Sequence, residues 1–252
     1  MAIASLFYGI VAYLIFLATF LYAIAFVGNL PVPKTIDGGA AGSFPAALVI
    51  DVLLLGLFAI QHSVMARPAF KRAWTRIVPD AIERSTYVLF ASLALIMLYW
   101  QWQPLAGLVW SVQNQAGVLG LQAIFWLGWG VVLIGTFLIN HFELFGLQQV
   151  YAHVVGKPNP PAAFKAPSMY KWVRHPIYFG FLLAFWATPT MTLGHLLFAV
   201  ATTGYILIGI WFEERDLVVT FGEQYRRYRR EVSMLIPLPR KRTEVERLAR
   251  EG

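Results

Sequence analysis

Long apolar stretches alternate with short polar ones along this chain, and their lengths set the first expectation. Residues 6–27, 44–63, 86–102 and 118–139 are each close to the ~20 residues that cross a hydrocarbon core of about 30 Å. Residues 1–33 carry no charge, whereas a secretory signal would open on a basic segment, so the pattern predicts a retained span. A later stretch, 177–211, is too long for one span and too short for two full ones. Thr188-Pro189-Thr190 divides it, and proline favours a turn there, which predicts a helical hairpin with a shortened first arm. The expected fold is all-α, a polytopic transmembrane bundle of about six membrane segments. It forms one domain: four spans over 1–139, then a proline-containing loop, the hairpin and a last helix over 140–237, then a basic tail over 238–252. The connections at 31–45 and 104–117 read as loops, the second as an uncharged turn.

Composition agrees with a bilayer as the solvent. Apolar residues make up 58% of the 252, against roughly 45–50% in soluble domains, and charged residues 13% against roughly 25%. Disorder is excluded by that apolarity. A disulfide scaffold and a cysteine-ligated metal are excluded by the absence of Cys, and no metal site is expected. The net charge of +7 would suit nucleic acid, but its placement points to the membrane instead. Lys and Arg number five in 64–85, four in 140–176 and ten in 212–252; of the chain's 20, only Lys34 falls outside. Basic loops stay in the cytoplasm. Both termini are therefore expected inside, in a bacterial inner membrane.

The polar groups able to do chemistry all fall at the cytoplasmic ends of the expected spans: His62, Asn140, His141, Glu143, Arg174, His175, Tyr178, Glu213, Glu214, Asp216, Tyr225 and Tyr228. Taken singly, each is as well read as a headgroup-facing residue. Their convergence on one face is harder to explain that way. In Arg174-His175-Pro176-Ile177-Tyr178-Phe179-Gly180, Pro176 reads as the first helical residue and His175 as its N-cap. The unpaired N–H groups there suit a carboxylate or phosphate, and Gly180 allows a ligand or a helix to come close. Glu214, Leu217, Phe221, Tyr225 and Tyr228 follow a 3–4 spacing that predicts one helix face. Glu213 and Glu214 suit an ammonium or ribose hydroxyls, or simply neighbouring arginines.

This pair of motifs, separated by a hairpin and followed by Val232 and Pro237, resembles the integral-membrane methyltransferases related to isoprenylcysteine carboxyl methyltransferase. The resemblance implies that S-adenosylmethionine binds between the motifs, with Tyr170, Arg174, His175, Pro176, Tyr178, Gly180, Glu213, Glu214, Tyr225 and Tyr228 as its holders. His62-Ser63-Val64-Met65-Ala66-Arg67, Glu83-Arg84-Ser85-Thr86-Tyr87 and Asn140-His141-Phe142-Glu143-Leu144-Phe145-Gly146-Leu147 are similar to the methanethiol S-methyltransferases, and in part to the NnrU group. The implied substrate is a small thiol: methanethiol giving dimethyl sulfide, with hydrogen sulfide also in view. The implied partners are that thiol and the bilayer, with no nucleic acid.

A thiol needs to lose its proton, since even a Cys thiol has a pKa of about 8.5. Histidine is the usual base near neutral pH. His141, with Glu143 close by, is the first candidate and His62 the second, while His153 and His195 lie away from the expected site. Two alternatives stay open: methylation of a prenylcysteine carboxylate or lipid amine, and a non-enzymatic NnrU-like membrane protein. The last would need polar groups at mid-membrane depth, which only Asp51 approaches.

Overall fold

The computed structural model describes residues 2–40, 42–158 and 164–237. Pro160, Pro161 and the basic tail 238–252 lie outside the described residues. The chain runs α1 (Ala2–Val27), α2 (Phe44–Met65), α3 (Pro68–Trp74), α4 (Asp80–Gln101), β1 (Leu108–Ser111), α5 (Gln115–Ile139), α6 (His141–Leu144) and α7 (Leu147–Val154). A 3₁₀ turn (Ser168–Lys171), α8 (Pro176–Trp186), β2 (Thr190–Thr192), α9 (Leu193–Phe221) and α10 (Glu223–Glu231) follow. Helices α1, α2, α4, α5 and α9 are long and apolar enough to cross a membrane, and the fold is a helical membrane bundle. With 11 residues, α8 rises only ~16 Å, about half a hydrocarbon core. It is the short arm of the hairpin.

Each membrane helix exposes large apolar side chains outward, as lipid contact requires, and buries a narrower face. The main core joins Phe26, Trp102, Trp129, Phe185 and Phe198 toward the end of the bundle that carries β1 and β2. There the structure departs from the expected plain turn over 104–117. Leu108, Trp110 and Ser111 pair antiparallel with Thr192, Met191 and Thr190. The ribbon satisfies backbone groups where two chain segments leave their helices. Asp51, the one acid inside an expected span, is fully buried and accepts the Gln103 N–H at 2.9 Å. It thus ties down the end of α4 on this side. His195 also lies here, its Nε2 at 2.9 Å from the Phe185 carbonyl.

The opposite end carries the candidate site residues. Helix α8 packs along α5 at glycine-to-glycine distance: a Cβ on Gly180 would meet the Gly128 carbonyl at 2.6 Å. That close approach is helix–helix packing of the small-residue kind. Helix α9 ends at Gly222, whose φ of 56° is left-handed backbone suited to glycine, and α10 starts in a new direction. The face expected to run unbroken from Glu214 to Tyr228 is therefore split across two helices, because the Phe221-Gly222 step turns the chain.

Candidate active site

Arg174 and His175 precede α8, and Pro176 opens it, as Pro at the first position favours. The segment is held from the far side of the sequence. The N–H groups of Arg174 and His175 donate to the carbonyls of Ser233 and Met234, at 2.8 and 3.2 Å. Val173 and Ser233 form a parallel bridge. Beneath it lies an ionic knot: Glu214 Oε1 takes Arg174 Nε at 2.7 Å and His175 Nε2 at 3.1 Å. The knot is nearly dry, with the Glu214 side chain 11% exposed and that of His175 4%. The adjacent Glu213 has a different task. It points toward the solvent side, accepts from the Tyr178 hydroxyl at 3.0 Å, and stands 3.8 Å from His175 Nδ1.

These elements wall a cleft of about 540 Å³, inside the range typical of small-molecule sites. Tyr170, Arg174, His175, Glu213, Tyr225 and Tyr228 line it. Pro176, Tyr178, Gly180 and Glu214 stand behind that wall: Tyr178 and Glu214 steady lining residues, and Gly180 docks α8 on α5. Phe164 packs edge-on against Tyr225 and Tyr228, forming an aromatic corner with Phe221. Burial raises the phenols of Tyr170 and Tyr225 and pushes Tyr228 up to about 12, so all three remain protonated. Tyr228 donates to the Tyr170 carbonyl. Tyr225 is 2% exposed, and its hydroxyl finds no partner among the described residues.

The three residues expected to handle the proton do not gather. Glu143 borders the cleft, steadied by Asn140, whose Nδ2 donates to it at 2.8 Å. His141 does not. Its Nε2 lies 2.8 Å from the Tyr13 hydroxyl and its Nδ1 2.9 Å from Thr136 Oγ1, and Phe137 stacks on the ring at 4.2 Å. With both nitrogens engaged and the side chain buried, its pKa is pulled below the ordinary value by burial. His62 is also away from the lining, stacked on Phe58 and in contact with the Tyr87 hydroxyl at 2.8 Å.

Asn140, Leu217 and Phe221, all named from the sequence, line the cleft as well, whereas Lys71, Leu144, Gln149 and Lys165 were not singled out there. Asn140 is joined by Lys71, Arg84, Gln149 and Lys165, with Leu144, Leu217 and Phe221 as apolar wall. Arg84 belongs to the stretch Glu83-Arg84-Ser85-Thr86-Tyr87, which is its signal in the sequence. Gly146 brings α4 and α7 together: its φ is +90°, and a Cβ there would meet the Ser85 nitrogen at 2.7 Å. Among the described residues, no three His, Asp or Glu gather as a metal site.

Residues 65–232 match the family described as a protein of unknown function, DUF1295. The chain is 58% identical to the methanethiol S-methyltransferase of Mycobacterium tuberculosis, covering 95% of this chain and 98% of that protein. It is 54% identical to the methanethiol S-methyltransferase of Pseudomonas deceptionensis, over 93% and 90%. Mouse Nurim is more distant, at 32% identity over 69% of this chain and 70% of Nurim. No solved structure matches. Identity above one half across almost the full length of both chains shows the family, and this chain belongs to the methanethiol S-methyltransferase group within DUF1295.

Proposed function

We propose that this protein is an S-adenosylmethionine-dependent thiol S-methyltransferase that converts methanethiol to dimethyl sulfide, at the cytoplasmic face of a bacterial inner membrane. The thiol part of the reading rests on the relatives, which are named for that activity over nearly the whole chain. One observation carries the cofactor part: the buried, unpartnered Tyr225 hydroxyl in the wall of the cleft. A buried polar group without a partner costs about 1–3 kcal/mol, and a ligand donor or acceptor would remove that cost. The rest of the wall suits a zwitterionic nucleoside. The Nη2 of Arg174 that its bonds to Glu214 and the Arg229 and Val232 carbonyls leave over suits a carboxylate together with the N-terminus of α8, Glu213 and Glu143 suit an ammonium or ribose hydroxyls, and the Phe164–Phe221–Tyr228 corner suits a purine.

When bound, S-adenosylmethionine supplies a methyl group activated by a sulfonium. Around it, Glu214 keeps Arg174 and His175 in place, and Tyr178 keeps Glu213 in place. Opposite charges vanish as a thiolate meets a sulfonium, so a cleft with few waters favours the transfer. Neither His141 nor His62 lines that cleft, so in this reading both act as structural supports of the wall. Glu143 acts on the cofactor's charge, because carboxylates in general are far weaker bases than thiolates.

The test pairs activity with binding. Purified protein in detergent should form dimethyl sulfide from methanethiol and S-adenosylmethionine, read by gas chromatography, and should bind S-adenosylhomocysteine calorimetrically. Tyr225→Phe should leave the ligand-free protein at least as stable while weakening that binding by about tenfold, the loss of one hydrogen bond to a ligand. Equal affinity in Tyr225→Phe and the parent would place the cofactor outside this cleft.

A further inference from the structure

The basic side chains around the cleft are not equivalent. Arg174 is committed to Glu214 at 2.7 Å, and Lys71 to Glu83 at 3.1 Å. Arg84 is different. Its Nε donates to the Leu144 carbonyl at 2.8 Å, and its guanidinium carbon lies 5.1 Å from the Tyr87 ring centroid. Among the described residues no carboxylate reaches it within 4.0 Å, and its two terminal nitrogens take no hydrogen bond. Its acidic neighbour Glu83 is turned to Lys71 instead. The base of the side chain is held firmly, since Glu83 and Ser85 are buried on either side and α7 is locked onto Ser85 through Gly146. The result is a fixed, uncompensated cation on the wall of the cleft.

We propose that Arg84 is the substrate-binding residue of the thiol subsite, holding the thiol sulfur as its thiolate. This rests on the thiol S-methyltransferase reading above. An opposite charge within about 4–6 Å lowers an acid's pKa by about 1–3, so a bound thiol beside Arg84 ionises without a dedicated base. His141 does not take that part, since it lies off the cleft with both ring nitrogens engaged, and His175, which does line the cleft, has its Nε2 held against Glu214 at 3.1 Å. Arginine suits the position better than lysine. It stays protonated at every working pH and so offers no free lone pair to a nearby methyl donor.

The step balances. The S–H proton leaves to water. A lone pair of the thiolate sulfur forms the new C–S bond to the methyl carbon, and the old C–S bond breaks with its electrons staying on the departing sulfur. Both products are neutral thioethers at sulfur, and Arg84 is unchanged. Dimethyl sulfide has no charge for Arg84 to hold, so the same interaction that captures the substrate lets the product go.

The experiment measures kcat against pH at saturating thiol, with S-adenosylhomocysteine affinity as the control, in the full-length protein in detergent. The kcat profile reports ionisation within the enzyme–substrate complex. Arg84→Gln should lower kcat at pH 7 by at least about tenfold and move the pH at which it levels off upward by at least about 1. S-adenosylhomocysteine affinity should stay within about threefold, since the cofactor keeps its own contacts. Arg84→Lys should restore part of kcat and shift the profile back. If the Gln variant does not fold, Arg84→Met, which keeps the stem over Tyr87, carries the same test. A parental kcat profile in either neutral variant overturns the proposal alone, and so does loss of S-adenosylhomocysteine binding, which would assign Arg84 to the cofactor. A parent protein that makes no dimethyl sulfide overturns the thiol reading itself, and this proposal with it.

Discussion

Replacing Gly180 by alanine tests whether the spacing between α5 and α8 governs both stability and the cleft. The added Cβ would sit 2.6 Å from the Gly128 carbonyl oxygen and 2.9 Å from both the Val132 nitrogen and its Cγ2. Two of those atoms are backbone, so no rotamer change relieves the contact and the helices must part by most of an ångström. Overpacking of this kind costs about 1–3 kcal/mol, while alanine's helix propensity returns about 1 kcal/mol. A net loss of up to about 2 kcal/mol corresponds to a melting temperature lower by up to about 8 °C in a chain of this size. Gly130→Ala is the matched control, because nothing lies within 4 Å of its added Cβ and only the propensity gain remains. Thermal unfolding followed by tryptophan fluorescence in detergent should show the two variants moving in opposite directions. Gly180→Ala should also weaken S-adenosylhomocysteine binding, since α8 carries His175 at its start. Equal melting temperatures for the two variants would refute the claim that α8 is clamped by backbone contact.

Glu214→Gln leaves Arg174 and His175 without their shared carboxylate, and removing one partner of a buried pair costs about 3–5 kcal/mol. A large drop in melting temperature is expected there, and a much smaller one in the half-exposed Glu213→Gln; similar drops would contradict the division of labour between the two acids. His141 has a pKa lowered by burial, so the unfolded chain takes its proton first as pH falls. Stability present above the ordinary histidine pKa of about 6.5 should therefore be lost below it, and His141→Gln should flatten that part of the melting-temperature profile; an unchanged profile would mean the ring protonates freely in the fold. Reporter fusions after Gly117 and Thr190 should read as periplasmic and after Arg76 as cytoplasmic, given where the basic residues lie. A cytoplasmic signal at Gly117 would invert the arrangement.

Along the chain, hydropathy alone was enough to locate the membrane helices. The run expected at 44–63 became Phe44–Met65, and the one at 118–139 became Gln115–Ile139. The start of α8 at Pro176 and its short length were equally legible. These are local properties: a bilayer demands an unbroken apolar run with its hydrogen bonds satisfied internally, and proline acts on its own backbone. The direction in which side chains point was not legible. Nothing in Asn140-His141-Phe142-Glu143 says that the histidine turns inward to Tyr13 and Thr136 while the glutamate borders the cleft. Nothing in Glu213-Glu214 says which acid is buried under the cap of α8, and the 3–4 spacing from Glu214 to Tyr228 hid the break at Gly222. The carbonyls of Ser233 and Met234 that hold Arg174 and His175, and the ribbon between β1 and β2, join segments more than 50 residues apart. Solvent preference is written residue by residue, whereas partner choice depends on which surfaces the packed helices bring within 3 Å of one another, and only the tertiary structure decides that.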